Sequence, residues 1–396
     1  MRIAAIPRVF ARATEKYRGP FSARQFAHFV AYLLGLTVGR EGRNVQDIAA
    51  LFVRACDQAT LNHFLTEAPW SLARLWARHR EIVAEAIRRV GARRVFLSLD
   101  DTVSWKRWGL RMEGAGWHYS TTMKALVWGH DAVAALVSAG GEAYVWGIAL
   151  YRPKRACAAG AFRTKIDLAL AEIETFAPPA GAAATVLADC WYFCHRLARA
   201  AEARGFDWVF GCKRNRVVRV AGRRATVSRL IQRLSLDELE RVAISGRHYV
   251  VASRLVDFPG LGPGQLVIGA EVPKSGRRIR RADLRVIACN RQDWRARTVL
   301  SQYVQRHRIE DFFKDAKGHL GLGEYQLRKA EGIQRHWALV ACAHTVLRLL
   351  PAGGRGRTIG EAALWIEDLT QEAAMKWAHA RGLRGVKWRS PFLRAA

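Results

Sequence analysis

From residue 93 onward the hydrophobic pattern of this chain changes from helical to strand-like, and the order of the segments that follow leaves few ways to fold. RRVFLSLDDT is a short apolar run rich in β-branched and aromatic residues that ends in acids, as a buried strand does. KALVWGHDAVAALVSA and EAYVWGIALYRPK read as two long strands joined by a hairpin turn at Ala139, Gly140 and Gly141. FRTKIDLALAEIETF is an amphipathic helix stopped by Pro178 and Pro179; ATVLADCWY is a strand, CHRLARAAEARG a helix closed by Gly205, and DWVFGCKRN a further strand. The order is β-β-β-α-β-α-β. The first three strands make a meander, and a right-handed crossover lays the fourth parallel to the first along its free edge.

On either side the chain reads differently. Residues 21 to 90 have apolar residues at three- and four-residue steps, with Asn44 as a helix N-cap, and VQDIAALFVR with DQATLNHFLTE has the spacing of a helix-turn-helix or of a plain bundle. Residues 219 to 283 hold the strands HYVVASRLVDF and QLVIGAEVP between turn signals, a β-rich insertion; LRVIACN is its last strand or the return to the main sheet. TVLSQYVQRHRIEDFFKDAKGHL reads as one strong amphipathic helix, and the rest is helical, with PAGGRGRT near 351 as a linker. Five blocks follow: 1–92, helical and DNA-binding; 93–218, the first part of an α/β core; 219–283, the insertion; 284–350, the rest of the core; and 351–396, a helical C-terminal region.

Charge indicates the partner. The formal net charge is +30, and 52 of the 64 cations are arginine, whose planar fork grips phosphate through paired hydrogen bonds. Self-repulsion of this size is relieved by a polyanion, with nucleic acid ahead of an anionic membrane, since no run of 18 uncharged apolar residues and no signal-peptide core occurs. Seven cysteines (56, 157, 190, 194, 212, 289 and 342), odd in number and without a CxxC pair, fit a reducing cytoplasm. Cys190, Cys194 and His195 lack the further ligand cluster that tetrahedral zinc wants. No GxxxxGK[ST], HExxH or GxSxG is present, so no nucleotide cofactor is implied.

Three acids lie where the expected topology brings distant segments together: Asp101, with Asp100 beside it, at the end of the first strand; Asp189 at the end of the fourth; and Glu310 in the late helix. Neighbouring strands are about 4.8 Å apart, so the aspartates emerge at adjacent carboxyl ends. Two unit charges at about 4 Å repel by about 4 kcal/mol at an effective dielectric near 20. A divalent cation removes that cost, and oxygen ligands suit Mg²⁺ or Mn²⁺ in phosphodiester chemistry. Consecutive strand residues face opposite sides, so only one of Asp100 and Asp101 points at such a metal. In QYVQRHRIEDFFKDAKGHL, Tyr303, Arg306, Glu310 and Lys317 follow at steps of three, four and seven, which on one continuous helix places them on one face.

At these residues the sequence resembles the DDE transposases of bacterial insertion sequences, in particular the group whose third acid lies in a Y-(2)-R-(3)-E-(6)-K signature, here Y-VQ-R-HRI-E-DFFKDA-K. The resemblance implies an RNase H-like α/β core, a mixed five-stranded sheet with helices, whose long stretch between Asp189 and Glu310 is filled by the β-rich insertion. It implies Asp101, Asp189 and Glu310 as catalytic metal ligands, with Asp101 ahead of Asp100 because the family's acid usually precedes the Thr, here Thr102. It further implies two Mg²⁺ ions, with Mn²⁺ as substitute, and cleavage at transposon ends followed by 3′-OH strand transfer. The partners it implies are double-stranded DNA (terminal inverted repeats and target) and a second copy of the chain on that DNA, in a bacterial cytoplasm at the nucleoid. Arg306, Lys317 and Tyr303 are expected on phosphates, as are Lys213, Arg214 and Arg216 of KRNRVVRVAGRR and Arg277 and Arg278 of SGRRIRR. Some relatives flip a base onto an aromatic residue of the insertion; Tyr249, Phe258 and Trp294 are the residues to consider here. The competing expectations are a domesticated, non-catalytic DNA-binding regulator and a structure-selective nuclease of the same fold.

Overall fold

The structure, a computed structural model, describes residues 3–53, 57–275, 277–351 and 358–382. They form twelve α-helices: α1 (Arg8–Thr14), α2 (Ala23–Val38), α3 (Val45–Ala50), α4 (Gln58–Thr66), α5 (Leu72–Val90), α6 (Lys165–Thr175), α7 (His195–Ala203), α8 (Val227–Arg233), α9 (Ala296–Val304), α10 (His307–His319), α11 (Ala330–Leu349) and α12 (Ile359–His379). The twelve strands are β1 (Arg94–Trp105), β2 (Gly116–Ser120), β3 (Ala125–Ala139), β4 (Glu142–Tyr151), β5 (Ala183–Ala188), β6 (Asp207–Gly211), β7 (Val217–Val220), β8 (Arg223–Thr226), β9 (Glu240–Ile244), β10 (Arg247–Phe258), β11 (Gly262–Glu271) and β12 (Arg285–Cys289). Contacts between Cα atoms divide the chain into two compact units, one of residues 1–83, 104–130 and 313–396, the other of 84–103 and 131–312.

The second unit is built on a mixed sheet, and its core is RNase H-like. Its strands run β4-β3-β1-β5-β6, the five expected from the sequence, with β4 antiparallel to β3 and with β1, β5 and β6 parallel to one another. The strands are apolar because both faces are covered: nearly every residue of β5 and β6 is buried. Crossover helix α6 starts at a reciprocal cap, in which Asp167 N donates to Thr164 Oγ1 at 3.1 Å and Thr164 N to Asp167 Oδ2 at 2.7 Å. Gly205 ends α7 at φ +68°, a conformation that favours glycine. β12 pairs antiparallel with β6 on one side and β11 on the other, so LRVIACN is both the last strand of the insertion and the return to the main sheet. Through it, β11, β10, β7 and β8 extend the same sheet.

The first unit is mainly helical. α2 starts at a capping box between Ser22 and Gln25, and the expected cap Asn44 is in place, with Asp47 N donating to Asn44 Oδ1 at 3.0 Å. α2 and α11 are apolar almost all round and form the centre, with α12 against α2 and α11. The N-terminal helices therefore share a core with helices from the end of the chain, and the compact units cut across the five sequence blocks. Two buried imidazoles tie this core together. Tyr32 Oη donates to His336 Nδ1 at 2.9 Å while His336 Nε2 donates to Gly321 O at 3.0 Å; Tyr325 Oη and Glu113 O hold His130 in the same way, at 2.9 and 3.0 Å. Burial pushes His336 down to about 3 and His130 to about 4, so both are neutral.

Several expectations need correction. The late helix is not continuous: α9 ends at Val304, and at Gln305 and Arg306 the amides bond three residues back, to Gln302 O and Tyr303 O, each at 3.0 Å, before α10 begins. Strand β2, paired antiparallel with the start of β3, was not anticipated, because its aromatics Trp117 and Tyr119 alternate outward. The linker residues 352–357, Cys56 and residues 383–396 lie outside the described residues. Among the described residues no helix is long and apolar enough to cross a membrane.

Candidate active site at the carboxyl ends of β1 and β5

The register between β1 and β5 decides which acids meet. The strands are parallel and pair from Arg94 with Ala183 to Leu99 with Ala188. Extended one step beyond the last pair, this register brings Asp100, still in β1, level with Asp189, the first residue after β5. Partners in register point to the same side of a sheet about 4.8 Å apart, and the next residue, Asp101, points to the other.

Hydrogen bonds follow this division. Asp189 Oδ1 accepts from Trp191 N at 2.8 Å and Tyr192 N at 3.2 Å, in the loop that leaves β5. Asp100 Oδ1 accepts from Asp101 N at 2.8 Å, and its Oδ2 accepts from Arg306 Nη1 at 3.0 Å. Arg306 also binds Glu310 through Nη2, so one guanidinium bridges the first and third acids. His307 Nδ1 lies 2.9 Å from the other oxygen of Glu310. Burial pushes Asp100 up to about 7; Arg306 pulls it down, and the charges of Asp101 and Asp189 add to the rise.

Tyr303 packs under this group, its ring 5.7 Å from the Arg306 guanidinium carbon, and burial pushes its hydroxyl up to about 12. Gly211 at the end of β6 makes the approach possible. A Cβ there would meet Cys190 N at 2.7 Å and the Tyr303 hydroxyl at 2.8 Å. A cavity of about 760 Å³ opens beside Asp189, lined by Tyr303 and Arg306 and, from the insertion strands, by Arg247, Tyr249 and Arg285.

On the opposite side, Asp101 Oδ2 accepts from Lys165 Nζ at 2.6 Å and Oδ1 from Tyr192 Oη at 3.0 Å, and Lys165 pairs again with the buried Asp131 of β3 at 2.5 Å. Burial and the charge of Asp101 push Asp131 up to about 7, with Lys165 pulling the other way. Burial disfavours the Lys165 charge, but Asp131 and Asp101 outweigh it and hold the ammonium above its ordinary value.

The remaining expected residues are distributed as follows. Asp100, Asp189, Arg306 and Glu310 gather in one place; Asp101 turns away from it. Lys317 is exposed on the part of α10 that belongs to the first unit, and Tyr303 stands before the helix break, so the four residues do not share one continuous helical face. Arg214 donates to the carbonyls of Arg281, Ala282 and Leu284 at 2.7 to 3.0 Å. Arg216 donates to Phe193 O and lies 3.6 Å over its ring. Lys213, Arg277 and Arg278 are exposed, with Arg277 paired to Asp283 at 2.9 Å. Phe258 is a core residue, packed on Phe193 and Trp208, and Trp294 carries Arg94 and Arg291 on its ring, which leaves Tyr249 as the insertion aromatic on the cavity.

Asp131, Lys165, Tyr192 and Gly211 were not anticipated. Asp131 could have been noticed as a lone acid inside an otherwise apolar strand, and Lys165 as a cation in the first turn of a helix, where the dipole disfavours it.

Clustered carboxylate oxygens are the donors that a hard divalent cation takes; the rise of Asp100 comes mainly from burial, with the charges of Asp101 and Asp189 adding a lesser part. As the side chains lie, no group of three or more His, Cys, Asp or Glu among the described residues is close enough to hold a metal. Glu310 is instead directed to Arg306 and His307. The donor chemistry fits, and closure needs Glu310 to turn from Arg306.

Two family models cover this geometry. The model of the DDE superfamily endonucleases matches residues 17–233, more than half of the chain, and that of the transposase DDE domain matches residues 166–346. The chain is a member of the DDE endonuclease superfamily. Asp100 and Asp101 fall in the first match, Glu310 in the second, and Asp189 in both. DDE endonucleases of the transposase type cut DNA and generally use divalent metal ions. No curated protein matches the chain.

Proposed function

We propose that this DDE protein is a cut-and-paste transposase whose metal ligands are Asp100, Asp189 and Glu310. The observation that carries the reading is the register of β1 and β5, which sets Asp100 rather than Asp101 beside Asp189, together with the Arg306 bridge from Asp100 to Glu310. When bound, a pair of Mg²⁺ or Mn²⁺ ions supplies activation of the attacking water or 3′ hydroxyl and stabilisation of the leaving oxygen.

The chain's own residues do the rest. The Trp191 and Tyr192 amides hold Asp189 in one orientation. Arg306 holds Glu310 and Asp100 together; with Glu310 serving as a ligand, the Nη2 side of the guanidinium would be left to bind a DNA phosphate. Tyr303 supports Arg306 from beneath. Lys213, Arg278 and Lys317, all exposed, are the cations for the phosphate backbone, while Arg214 and Arg216 brace the fold. The substrate is double-stranded DNA, first the inverted ends of the element and then its target, and two copies of the chain act together on the paired ends.

The test is cleavage and joining of duplex DNA carrying the element's ends, with Mg²⁺. The wild type nicks the end and joins its 3′ hydroxyl to a second duplex; Asp100→Asn, Asp189→Asn and Glu310→Gln do neither. Cleavage by these variants at the wild-type rate would overturn the site. Cleavage without joining by the wild type would make the protein a nuclease, and DNA binding with neither step would make it a regulator.

A further inference from the structure

Tyr192 touches both sides of the divided strand end. Its backbone N–H donates to Asp189 Oδ1 at 3.2 Å, and its side-chain hydroxyl, in a fully buried residue, donates to Asp101 Oδ1 at 3.0 Å. Asp101 in turn donates its own N–H to Asp100 Oδ1 at 2.8 Å. A continuous run of hydrogen bonds therefore leads from the carboxylate of Asp189, through Tyr192 and Asp101, to the carboxylate of Asp100. It closes a ring with the paired backbones of β1 and β5.

The far side of this ring is anchored. Lys165, in the first turn of α6, takes the second oxygen of Asp101 at 2.6 Å and Asp131 of β3 at 2.5 Å, and its ammonium lies 5.4 Å from the centre of the Trp191 ring. Both oxygens of Asp101 are thus engaged, by groups from the loop after β5 and from α6. Charge-assisted bonds of this kind hold their geometry more tightly than neutral ones. A half-buried acid with both oxygens taken, by an ammonium and a phenol, is a fixed post, whereas a metal ligand must keep an oxygen for the ion.

We propose that Tyr192 and Lys165, meeting on Asp101, form a brace that sets the separation and orientation of Asp100 and Asp189, so that Asp101 is a positioning residue and not a ligand. This rests on the assignment of Asp100 and Asp189 as ligands. The physical reason is that two like charges in register relax apart when nothing holds them, and an ion that bridges them must then draw them together at the expense of its own affinity.

The experiment measures Mn²⁺ alone binding to the full chain without DNA, by electron paramagnetic resonance of the free ion, beside cleavage rate against Mn²⁺ concentration. Tyr192→Phe removes one hydroxyl and keeps the ring and the amide; Lys165→Met removes the anchor from the other side. Both are expected to weaken Mn²⁺ binding about 10-fold or more, in the range that loss of a supporting partner costs. At saturating Mn²⁺ both are expected to recover most of the cleavage rate, a split between metal affinity and turnover that general loosening of the fold would not give. Asp100→Asn and Asp189→Asn are run alongside. If these abolish binding while Tyr192→Phe and Lys165→Met bind Mn²⁺ as the wild type does, the brace is wrong and the ligand assignment stands. If Asp100→Asn and Asp189→Asn also bind as wild type, the ligand assignment itself fails. Should Lys165→Met not fold, the Tyr192→Phe result decides alone, and its unfolding temperature, expected close to wild type, checks that the chain is intact.

Discussion

Asp100 and Asp101 are the same side chain, one residue apart, on the same strand, yet their surroundings have little in common. Asp100 faces Asp189 and the Arg306–Glu310 pair; Asp101 faces Lys165, Asp131 and Tyr192. On the Asp100 side an arginine spans two acids that come from different elements and the contacts are open to exchange, since Glu310 is partly exposed. On the Asp101 side the same number of acids is closed around one lysine, and Asp131 is almost fully buried. The difference teaches that a pair of acids at a strand end is two half-sites back to back. One pairs two acids with an arginine beside a partly exposed Glu310, the other closes two acids around a lysine, and the alternation of the strand separates them.

The comparison is broken most directly by exchanging the acids one at a time. Asp100→Asn is expected to reduce DNA cleavage to background, a larger loss than the ~100-fold that supporting residues cost, whereas Asp101→Asn keeps measurable cleavage at high metal concentration. Equal loss in both variants, each shown to be folded, would mean that the two sides are not functionally distinct. Next in size is Arg306→Ala. Removing the bridge, and with it the donor for phosphate, is expected to slow cleavage by about 100-fold, as loss of one preorganised charge-stabilising donor does, with Arg306→Lys in between. An Arg306→Ala enzyme of wild-type rate would take arginine out of the account.

Gly211→Ala is a smaller perturbation. Its methyl group would collide with Cys190 N and the Tyr303 hydroxyl, so a loss of about 1 to 3 kcal/mol is expected from overpacking. Thermal unfolding of the metal-free protein measures it; an unchanged midpoint would show that the junction of β5 and β6 is looser than drawn.

The pH response sharpens the contrast further and is the mildest test. Asp100 and Asp131 are both raised to about 7 in the folded chain from an unfolded value near 3.9. A raised acid binds its proton more tightly when folded, so its contribution is fully present below about pH 4 and is lost as pH climbs through about 7. In the metal-free protein each group lowers stability by up to about 1.4 kcal/mol per pH unit across that window. The buried His336 and His130 of the first unit act oppositely: held neutral down to about 3 and 4, they cost stability as pH falls below about 6.5. Hydrogen-exchange protection is therefore expected to fall in β1, which carries Asp100, as pH rises from 5 to 7, and in α11, which carries His336, as pH falls from 6.5 to 5; β3 holds both His130 and Asp131, whose trends oppose each other. Asp100→Asn is expected to flatten the first trend and leave the second. Protection that moves in the same direction in both places would contradict this assignment.

Much of the fold was legible because it rests on local pattern. The meander, both crossover helices, the Asn44 cap, the Gly205 stop and the two long insertion strands follow from period, turns and caps, which are properties of a few adjacent residues. Strand β2 escaped because its apolar alternation points outward, and the break between α9 and α10 because no Pro or Gly marks it. Gln305 keeps helical dihedral angles, φ −63° and ψ −21°, and only the hydrogen-bond ladder slips.

The site was legible as chemistry and not as register. The three segments that carry acid stand out by composition and order; the resemblance puts Asp101 ahead of Asp100 because of the Thr that follows, whereas the register brings Asp100 level with Asp189. Which of two neighbours meets Asp189 depends on how β1 slides against β5, a relation between residues nearly ninety apart that local sequence does not encode. Arg306 was expected on phosphate for the same reason: its i, i+4 spacing to Glu310 is visible in the chain, and its bond to Asp100 is not.

The measurement closest to the central claim is the anomalous scattering of manganese in crystals of the full chain with Mn²⁺ and an uncleaved DNA end. The account predicts manganese bound to carboxylate oxygens of both Asp100 and Asp189, with Glu310 turned from Arg306 toward it, and Asp101 still on Lys165 and Tyr192. Manganese on Asp101, with Asp100 left on Arg306, would contradict it.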